Sequence, residues 1–327
     1  MTVSLRLSDD YQALRHHVAG RLVPRDVLAL RGPDAVTYLQ GQCSQDVAGL
    51  SVGRSADALL LSPQGKLEAL LRVVRADEDA FLLDVDGGWG SAVRRRLERF
   101  KLRVKVELDS VELRCLALRG PDAAAVAQDV GGDHRVDFSW NAVTGVDVFG
   151  PSLSVPDDVP SSGLPAWEAL RVEAGIPAMG SEIDERTIPA EAGLLERCVS
   201  FTKGCYTGQE LVARLDARGN KVARHLVGFV VTGWPGDETV AESIGAPVHD
   251  EDDKGPLPTG TVVLADSAHG DDGAVVGAVT SSARSPVLGV VALGYLHRRV
   301  TPPAAVVLRT AGGATMTAEA RLLPLVG

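Results

Sequence analysis

The segment Lys203-Gly204-Cys205-Tyr206-Thr207-Gly208-Gln209-Glu210 brings a thiol, an amine and two glycines close together in the chain. Thr207 followed by Glu210 has capping-box spacing, and Leu211, Val212 and Leu215 supply the apolar side of a short helix. Gly219 and Asn220 provide its exit. Cys205 then stands two residues before a helix N-terminus, where unpaired N–H groups and the helix dipole favour an anion. In an extended lead-in Lys203 and Cys205 point to one side, a setting that favours the reactive thiolate. Gly204 and Gly208 let the chain bend and a ligand approach the backbone.

A lone cysteine is more often a small buried hydrophobe than a nucleophile. Core burial suits Cys43, Cys115 and Cys198, which sit among apolar neighbours, and suits Cys205 less, whose neighbours are polar, basic and glycine. From the residues alone, a reactive and a structural Cys205 are even alternatives. A metal shared by Cys198 and Cys205 is disfavoured, since six residues separate them and no His is near.

The elements that must position this segment begin with a repeat. Leu28-Ala29-Leu30-Arg31-Gly32-Pro33-Asp34-Ala35 recurs identically as Leu116 to Ala123. Each copy reads as a strand end, a glycine turn and a helix opening on Pro, with Asp at its positive end. Helices are expected over Val36–Val47 and Ala124–Val130, and eight identities in a row imply duplicated α+β halves. Strands are expected at Ala58–Leu61, Leu67–Val74 and Ala80–Val85, and a helix over Ser91–Phe100 with Val93, Leu97 and Phe100 inward. Its other face, Arg94, Arg95, Arg96 and Arg99, reads as solvated. Leu102, Val104, Val106 and Leu108 alternate as in a half-buried strand. Val155–Pro165 reads as a connection, followed by a helix over Ala166–Ala174 that Gly175 ends and Pro177 keeps from resuming. From Val222 the helical period vanishes and short apolar runs predict a β-barrel or sandwich, with Asp250-Glu251-Asp252-Asp253 as a solvated turn.

The chain has 327 residues, 45% hydrophobic and 23% charged, enough for two or three domains. Aromatics are 4%, so the cores rest on Leu, Val and Ala. A net charge of −10 disfavours stable nucleic-acid binding over the whole surface. No apolar run is long enough to span a bilayer, Met1–Gly20 lacks the apolar stretch of a signal peptide, and four irregularly spaced cysteines suit a reducing compartment. A cytoplasmic protein without membrane partners is the expectation.

Lys203 to Glu210 resembles the K-G-C-Y-x-G-Q-E signature of the YgfZ family, relatives of the aminomethyltransferase (T-protein) of the glycine cleavage system. Trp167 to Pro177 is similar to that family's E-x-L-R-I-E-A-G-I-P helix. Ile188-Pro189-Ala190-Glu191-Ala192 and Glu210–Arg214 resemble the flanks of the signature. Gly32-Pro33-Asp34-Ala35 with Leu39-Gln40-Gly41-Gln42 resembles the N-terminal motif, and Val276–Ser282 the barrel motif. Cys43 stands where an aliphatic residue is usual, which supports its core reading.

The resemblance implies an α+β fold, a three-domain T-protein-like cloverleaf with duplicated α/β halves and a C-terminal β-barrel. Residues 1–222 would form two intertwined folate-binding domains and 223–327 the barrel. It implies tetrahydrofolate or a one-carbon derivative as ligand and iron–sulfur client or assembly proteins as partners; from the cysteine spacing no resident metal is expected. Cys205 becomes the functional thiol. Glu173, on the helix before Gly175, is the family-matched carboxylate for the pterin, with Arg171 as a salt-bridge partner. Tyr206 and Gln209 join the folate site, and Lys203, Arg214 and Arg218 are candidates for its anionic glutamate tail.

T-protein enzymes carry an Asp pair in the strand after a Pro-x-Gly turn. Here Pro63-Gln64-Gly65-Lys66-Leu67-Glu68-Ala69-Leu70-Leu71 puts Ala69 and Leu70 at those positions, and neither moves a proton. Glu68 is one residue early and faces opposite to Ala69 in a strand. The expected function is therefore a folate-binding accessory role in iron–sulfur cluster assembly or repair. The alternative is a folate-dependent aminomethyl or methyl transferase.

Overall fold

A computed structural model describes residues 2–234, 255–265 and 273–327. The run Asp250-Glu251-Asp252-Asp253 lies outside the described residues. The chain opens with α1 (Thr2–His16), β1 (Ala19–Val23), β2 (Arg25–Arg31) and α2 (Ala35–Gln42). The antiparallel strands β3 (Ser55–Leu61), β4 (Leu67–Asp77) and β5 (Ala80–Asp86) follow, then α3 (Gly90–Phe100), β6 (Glu107–Val111) and β7 (Arg114–Arg119). Next come α4 (Ala123–Asp129), the hairpin of β8 (His134–Trp140) and β9 (Val143–Gly150), and α5 (Leu164–Ala174).

The two octapeptides fold alike: β2 turns into α2 at Gly32, and β7 turns into α4 at Gly120. These glycines have φ of 129° and 118°, and a Cβ at either would collide with the carbonyl oxygen of Lys105 or His17. The strand before each copy crosses to the other half, since β1 pairs antiparallel with β7 and β6 pairs antiparallel with β2. The results are a five-stranded sheet, β3-β4-β5-β2-β6, and a four-stranded sheet, β1-β7-β9-β8. Period-two alternation decides the faces. Along β4, Leu67, Ala69, Leu71 and Val73 are buried in the core of the first half. The sheets pack on each other through Val27, Ala29, Val74, Cys115, Val136 and Phe149.

After α5 come the short helices α6 (Leu195–Cys198) and α7 (Gln209–Asp216), and then β10 (Arg224–Gly233), β11 (Val262–Ala265), β12 (Val275–Ser285), β13 (Gly289–His297), β14 (Ala304–Arg309) and β15 (Thr315–Arg321). These six strands close into a barrel in the order β10-β13-β12-β11-β14-β15. Helix α5 is wedged between α1 and the barrel: Ala166, Ala169 and Leu170 share a core with Tyr11, Leu14, Val291 and Leu293. Gly175 ends α5 in the left-handed conformation, φ 70°. Among the described residues no helix is long and apolar enough to cross a membrane.

Four local expectations are corrected. Leu102–Leu108 is not one strand: β6 starts at Glu107, Arg103 has φ 56°, and Leu102 is 76% exposed. Helix α2 stops at Gln42, because Cys43 is extended and bridges to Leu60. Pro33 and Pro121 precede the helices they were expected to open, whose N-caps are Asp34 and Asp122. Arg96 is not on a solvated face. It is buried, and its guanidinium donates to Glu68, to Gln42 Oε1 (2.9 Å) and to the Leu61 carbonyl (3.0 Å).

Candidate functional site

A cavity of about 960 Å³ lies where the two sheets, α5 and the segment after it meet. That is near the upper end for sites that hold small molecules and cofactors. Leu164, Trp167, Glu168 and Arg171, spaced i, i+3, i+4 and i+7, turn one face of α5 into its wall. Phe138 and Trp140 come from β8, and Leu70 and Arg72 from β4. Eight arginines and no lysine line it, against five carboxylates, so a chain of net charge −10 encloses a cationic chamber. Flat aromatic walls with arginine and carboxylate groups suit a planar, hydrogen-bonding heterocycle with an anionic tail.

An ion network joins the two sheets at this chamber. Arg25 donates to Asp84 (2.6 Å) and Asp86, and Arg72 Nη2 lies 2.7 Å from Asp84 and 2.8 Å from Asp147. Asp147 also accepts from Arg119 (2.7 Å). Three guanidinium groups thus face three carboxylates. Burial by itself would raise Asp147, but Arg119 and Arg72 outweigh it and hold the carboxyl at about 2. Arg119 in turn lies over the Phe138 ring, 3.6 Å from its centroid, and 5.2 Å from that of Trp167, which orients both aromatics.

On another wall, Arg197 of α6 lies 4.3 Å over the Trp140 ring and donates to Asp57 (2.5 Å) and to the Ser139 carbonyl. From there a strap runs toward Cys205. Gln45 Nε2 donates to the Arg197 carbonyl (3.1 Å), Ser44 Oγ to the Cys198 carbonyl (2.5 Å), and Ser200 N–H to the Ser44 carbonyl (3.0 Å). Lys203 Nζ donates to the carbonyls of Gln40 (2.6 Å), Cys43 (2.7 Å) and Gln45 (2.9 Å), and Thr207 N–H to that of Gly41 (3.1 Å). The signature octapeptide is therefore seated on the end of α2, which explains why the Leu39-Gln40-Gly41-Gln42 motif accompanies it.

The structure separates residues that the sequence reading grouped. Cys205 is exposed, whereas Cys43, Cys115 and Cys198 are buried. None of Lys203, Cys205, Tyr206, Gln209 and Arg214 is among the residues lining the cavity. The three ammonium donors of Lys203 all go to backbone carbonyls, so its role here is to pin the chain. Tyr206 packs into the core under Lys203, and Gln209 Oε1 accepts from the Tyr206 N–H (3.1 Å). Arg214 is exposed in the last turn of α7. Thr207 does not cap that helix: the N-cap is Gly208, φ 84°, and Cys205 stands three residues before it.

Glu173 also lies away from the cavity. It is fully buried, and its Oε2 accepts from Tyr11 Oη (2.7 Å) and Arg15 Nη2 (2.5 Å), both on α1. The carboxylate of α5 that reaches the chamber is Glu168, held by Arg171 Nε at 2.8 Å. Sequence reasoning missed Glu168, Trp140, Arg197 and the ion network. The signal for Glu168 was present, since it shares the helical face of Trp167 and Arg171. Arg171 makes its salt bridges as expected, to Glu168 and to buried Glu182 (3.2 Å). Glu182 accepts from Thr280 of the barrel motif (2.6 Å), which ties the barrel to the cavity wall.

Comparison with known proteins places this arrangement. Residues 23–155 match the model of the GCVT N-terminal domain. The chain is 30% identical over 214 residues to the tRNA-modifying protein YgfZ of Edwardsiella ictaluri, covering 58% of this chain and 63% of that protein. It is 27% identical over 279 residues to the mitochondrial iron–sulfur cluster assembly factor IBA57 homolog of Aspergillus oryzae, covering 73% of this chain and 62% of that one. Less than two thirds of either relative's length is thus spanned. The fold matches the glycine cleavage system aminomethyltransferase T of Bartonella henselae, with a TM-score of 0.77 at 22% identity over 98% of this chain and 89% of that one. The closed C-terminal barrel and the paired α+β halves are thus the T-protein architecture, and residues 23–155 of the chain are similar to the GCVT N-terminal domain, with YgfZ-named proteins among the chain's relatives.

Proposed function

We propose that this protein binds tetrahydrofolate or a one-carbon derivative in the central cavity and serves as an accessory factor in the assembly or repair of iron–sulfur proteins. The observation that carries the folate reading is the chamber itself, about 960 Å³ with Phe138, Trp140, Trp167, Glu168 and a surplus of arginine in its walls. A pteridine needs flat apolar faces and a carboxylate for its amino-pyrimidine donors, and the glutamate tail needs cations. Glu168 is the carboxylate we assign to the pteridine. Arg197 and Arg54 are the cations we assign to the tail. The likeness to YgfZ and IBA57 proteins supports the iron–sulfur role.

Cys205 would act apart from the folate, at the exposed edge of a strap that starts at Arg197 in the cavity wall. Its exposure suits contact with a partner protein. We favour this over methylene transfer because Ala69 is buried in the core and Leu70 faces the chamber, so neither supplies a proton acceptor there. Glu68 is engaged by Arg96. Calorimetric titration with tetrahydrofolate and its formyl and methylene forms tests the ligand. Growth of a deletion strain carrying Cys205→Ser, scored by iron–sulfur enzyme activities, tests the thiol: full activity with the Ser variant would remove Cys205 from the mechanism.

A further inference from the structure

The strongest basic run in the chain has no part in the cavity or the thiol segment. Residues 94–105 carry Arg94, Arg95, Arg96, Arg99, Lys101, Arg103 and Lys105 against one acid, Glu98, in a protein of net charge −10. Arg96 points inward and Arg94 is paired with Glu98 at 2.9 Å. Arg95, Arg99 and Arg103 are exposed and, among the described residues, form no ion pair. Leu102 stands among them at 76% exposure, on a segment fixed from below by Val104, which packs on the core, and bent by the positive φ of Arg103. An L-residue other than Gly, Asn or Asp holds that conformation at some cost. A large apolar side chain held outward on a segment whose exposed arginines have no carboxylate partner among the described residues does not resemble a merely solvated surface.

We infer that the outer face of α3 and the loop after it dock an acidic protein segment that carries an apolar side chain. The charge pattern calls for carboxylates, and burial of Leu102 calls for an apolar partner group. A phosphate backbone would satisfy the cations and leave Leu102 uncovered, and a lipid surface is held by a broader apolar face than one exposed leucine. Interfaces of this kind use an apolar anchor inside a polar rim, with arginine enriched. The site also has a defined footing: Arg96, on the inner side of the same helix, bonds Gln42 and the Leu61 carbonyl, next to the seat of the signature segment. The inference does not depend on folate binding.

The test is a fluorescence-anisotropy titration of the full chain with a synthetic amphipathic peptide of Glu and Leu repeats, at low and moderate salt. Poly(U) and phosphatidylglycerol vesicles serve as competing probes. The expected result is salt-dependent peptide binding, weakened at least about tenfold in R95E/R99E/R103E and about fivefold in L102A, with thermal melting unchanged in both. The L102A arm separates a protein-docking face from a general anion-binding one, because it leaves the charge intact. No peptide binding at millimolar concentration, binding that survives either substitution, or tighter binding of poly(U) or vesicles would overturn the inference.

Discussion

Arg72 presents one nitrogen, Nη2, 2.7 Å from Asp84 of its own sheet and 2.8 Å from Asp147 of the other, so the two halves share a single cation. The contact is buried, with side-chain exposures of 9% for Arg72 and 7% for Asp147. Breaking such a pair from one side leaves an uncompensated charge and costs about 3–5 kcal/mol.

This contact gives stability a defined acid limb. The carboxyl of Asp147 titrates at about 2 when folded and near 3.8 otherwise. Because the folded value is the lower one, the stabilisation is complete above pH ~4 and is lost as pH falls toward ~2. Denaturant unfolding between pH 2 and 6 is expected to show that loss, roughly 2 kcal/mol from this group. Asp147→Asn should be less stable at pH 6 and show a shallower decline below pH 4.

The two glutamates of α5 should behave oppositely. Glu173→Gln removes the charge that Arg15 faces in a buried site, so thermal stability is expected to fall by roughly 2–4 kcal/mol. Folate affinity of the folded variant is expected to stay within about twofold. Glu168→Gln should leave the melting temperature nearly unchanged and weaken tetrahydrofolate binding about tenfold, the cost of one charged hydrogen bond. Calorimetry on both variants checks this.

Lys203→Met deletes three hydrogen bonds that hold the signature segment on α2. Net losses near 1 kcal/mol apiece put the expected destabilisation at about 3 kcal/mol. Hydrogen exchange should rise in residues 199–207 while folate affinity changes little.

Thiol labelling should divide the cysteines cleanly. Burial pushes Cys43 up to about 12 against the opposing pull of Lys203 and Arg96, and also pushes Cys115 and Cys198 well up. Mass-resolved alkylation of the native protein at pH 8 is expected to modify Cys205 alone. The other three should react only after denaturation, and tetrahydrofolate should leave the Cys205 rate within about twofold.

Much of the fold was legible because it rests on short-range rules. The repeated Gly-Pro-Asp turns, the strands read at Ala58–Leu61, Leu67–Val74 and Ala80–Val85, the Gly175 stop and the C-terminal barrel strands all came through as real elements. What failed was set by distant contacts. The exchange of β1 and β6 between halves joins strands far apart in the chain, such as Ala19 with Arg119 and Val27 with Val111, and no local pattern announces it. Leu102 and Val104 keep strand-like alternation, yet the chain turns at Arg103 before reaching β6.

The site was legible in its parts and not in its grouping. Cys205 was singled out correctly as the cysteine unlike the rest, and its exposure agrees. The signature around it, expected at the folate site, is seated on the end of α2, because Lys203 meets backbone carbonyls there. Glu173 and Glu168 are five residues apart on one helix, and only the position of α1 decides which of them is sealed away. The Arg25–Asp84–Arg72–Asp147–Arg119 chain joins strands from both halves, so it exists only once the sheets have met.

The central claim is that folate occupies the chamber between the sheets, and a crystal structure of the protein soaked or grown with tetrahydrofolate tests it most directly. The account expects the pteridine between Trp140 and Trp167 with Glu168 at its amino-pyrimidine edge and the glutamate tail toward Arg197, while Glu173 keeps Tyr11 and Arg15. Density for the ligand against residues 203–214 outside the chamber, or an empty chamber at millimolar tetrahydrofolate, would contradict it.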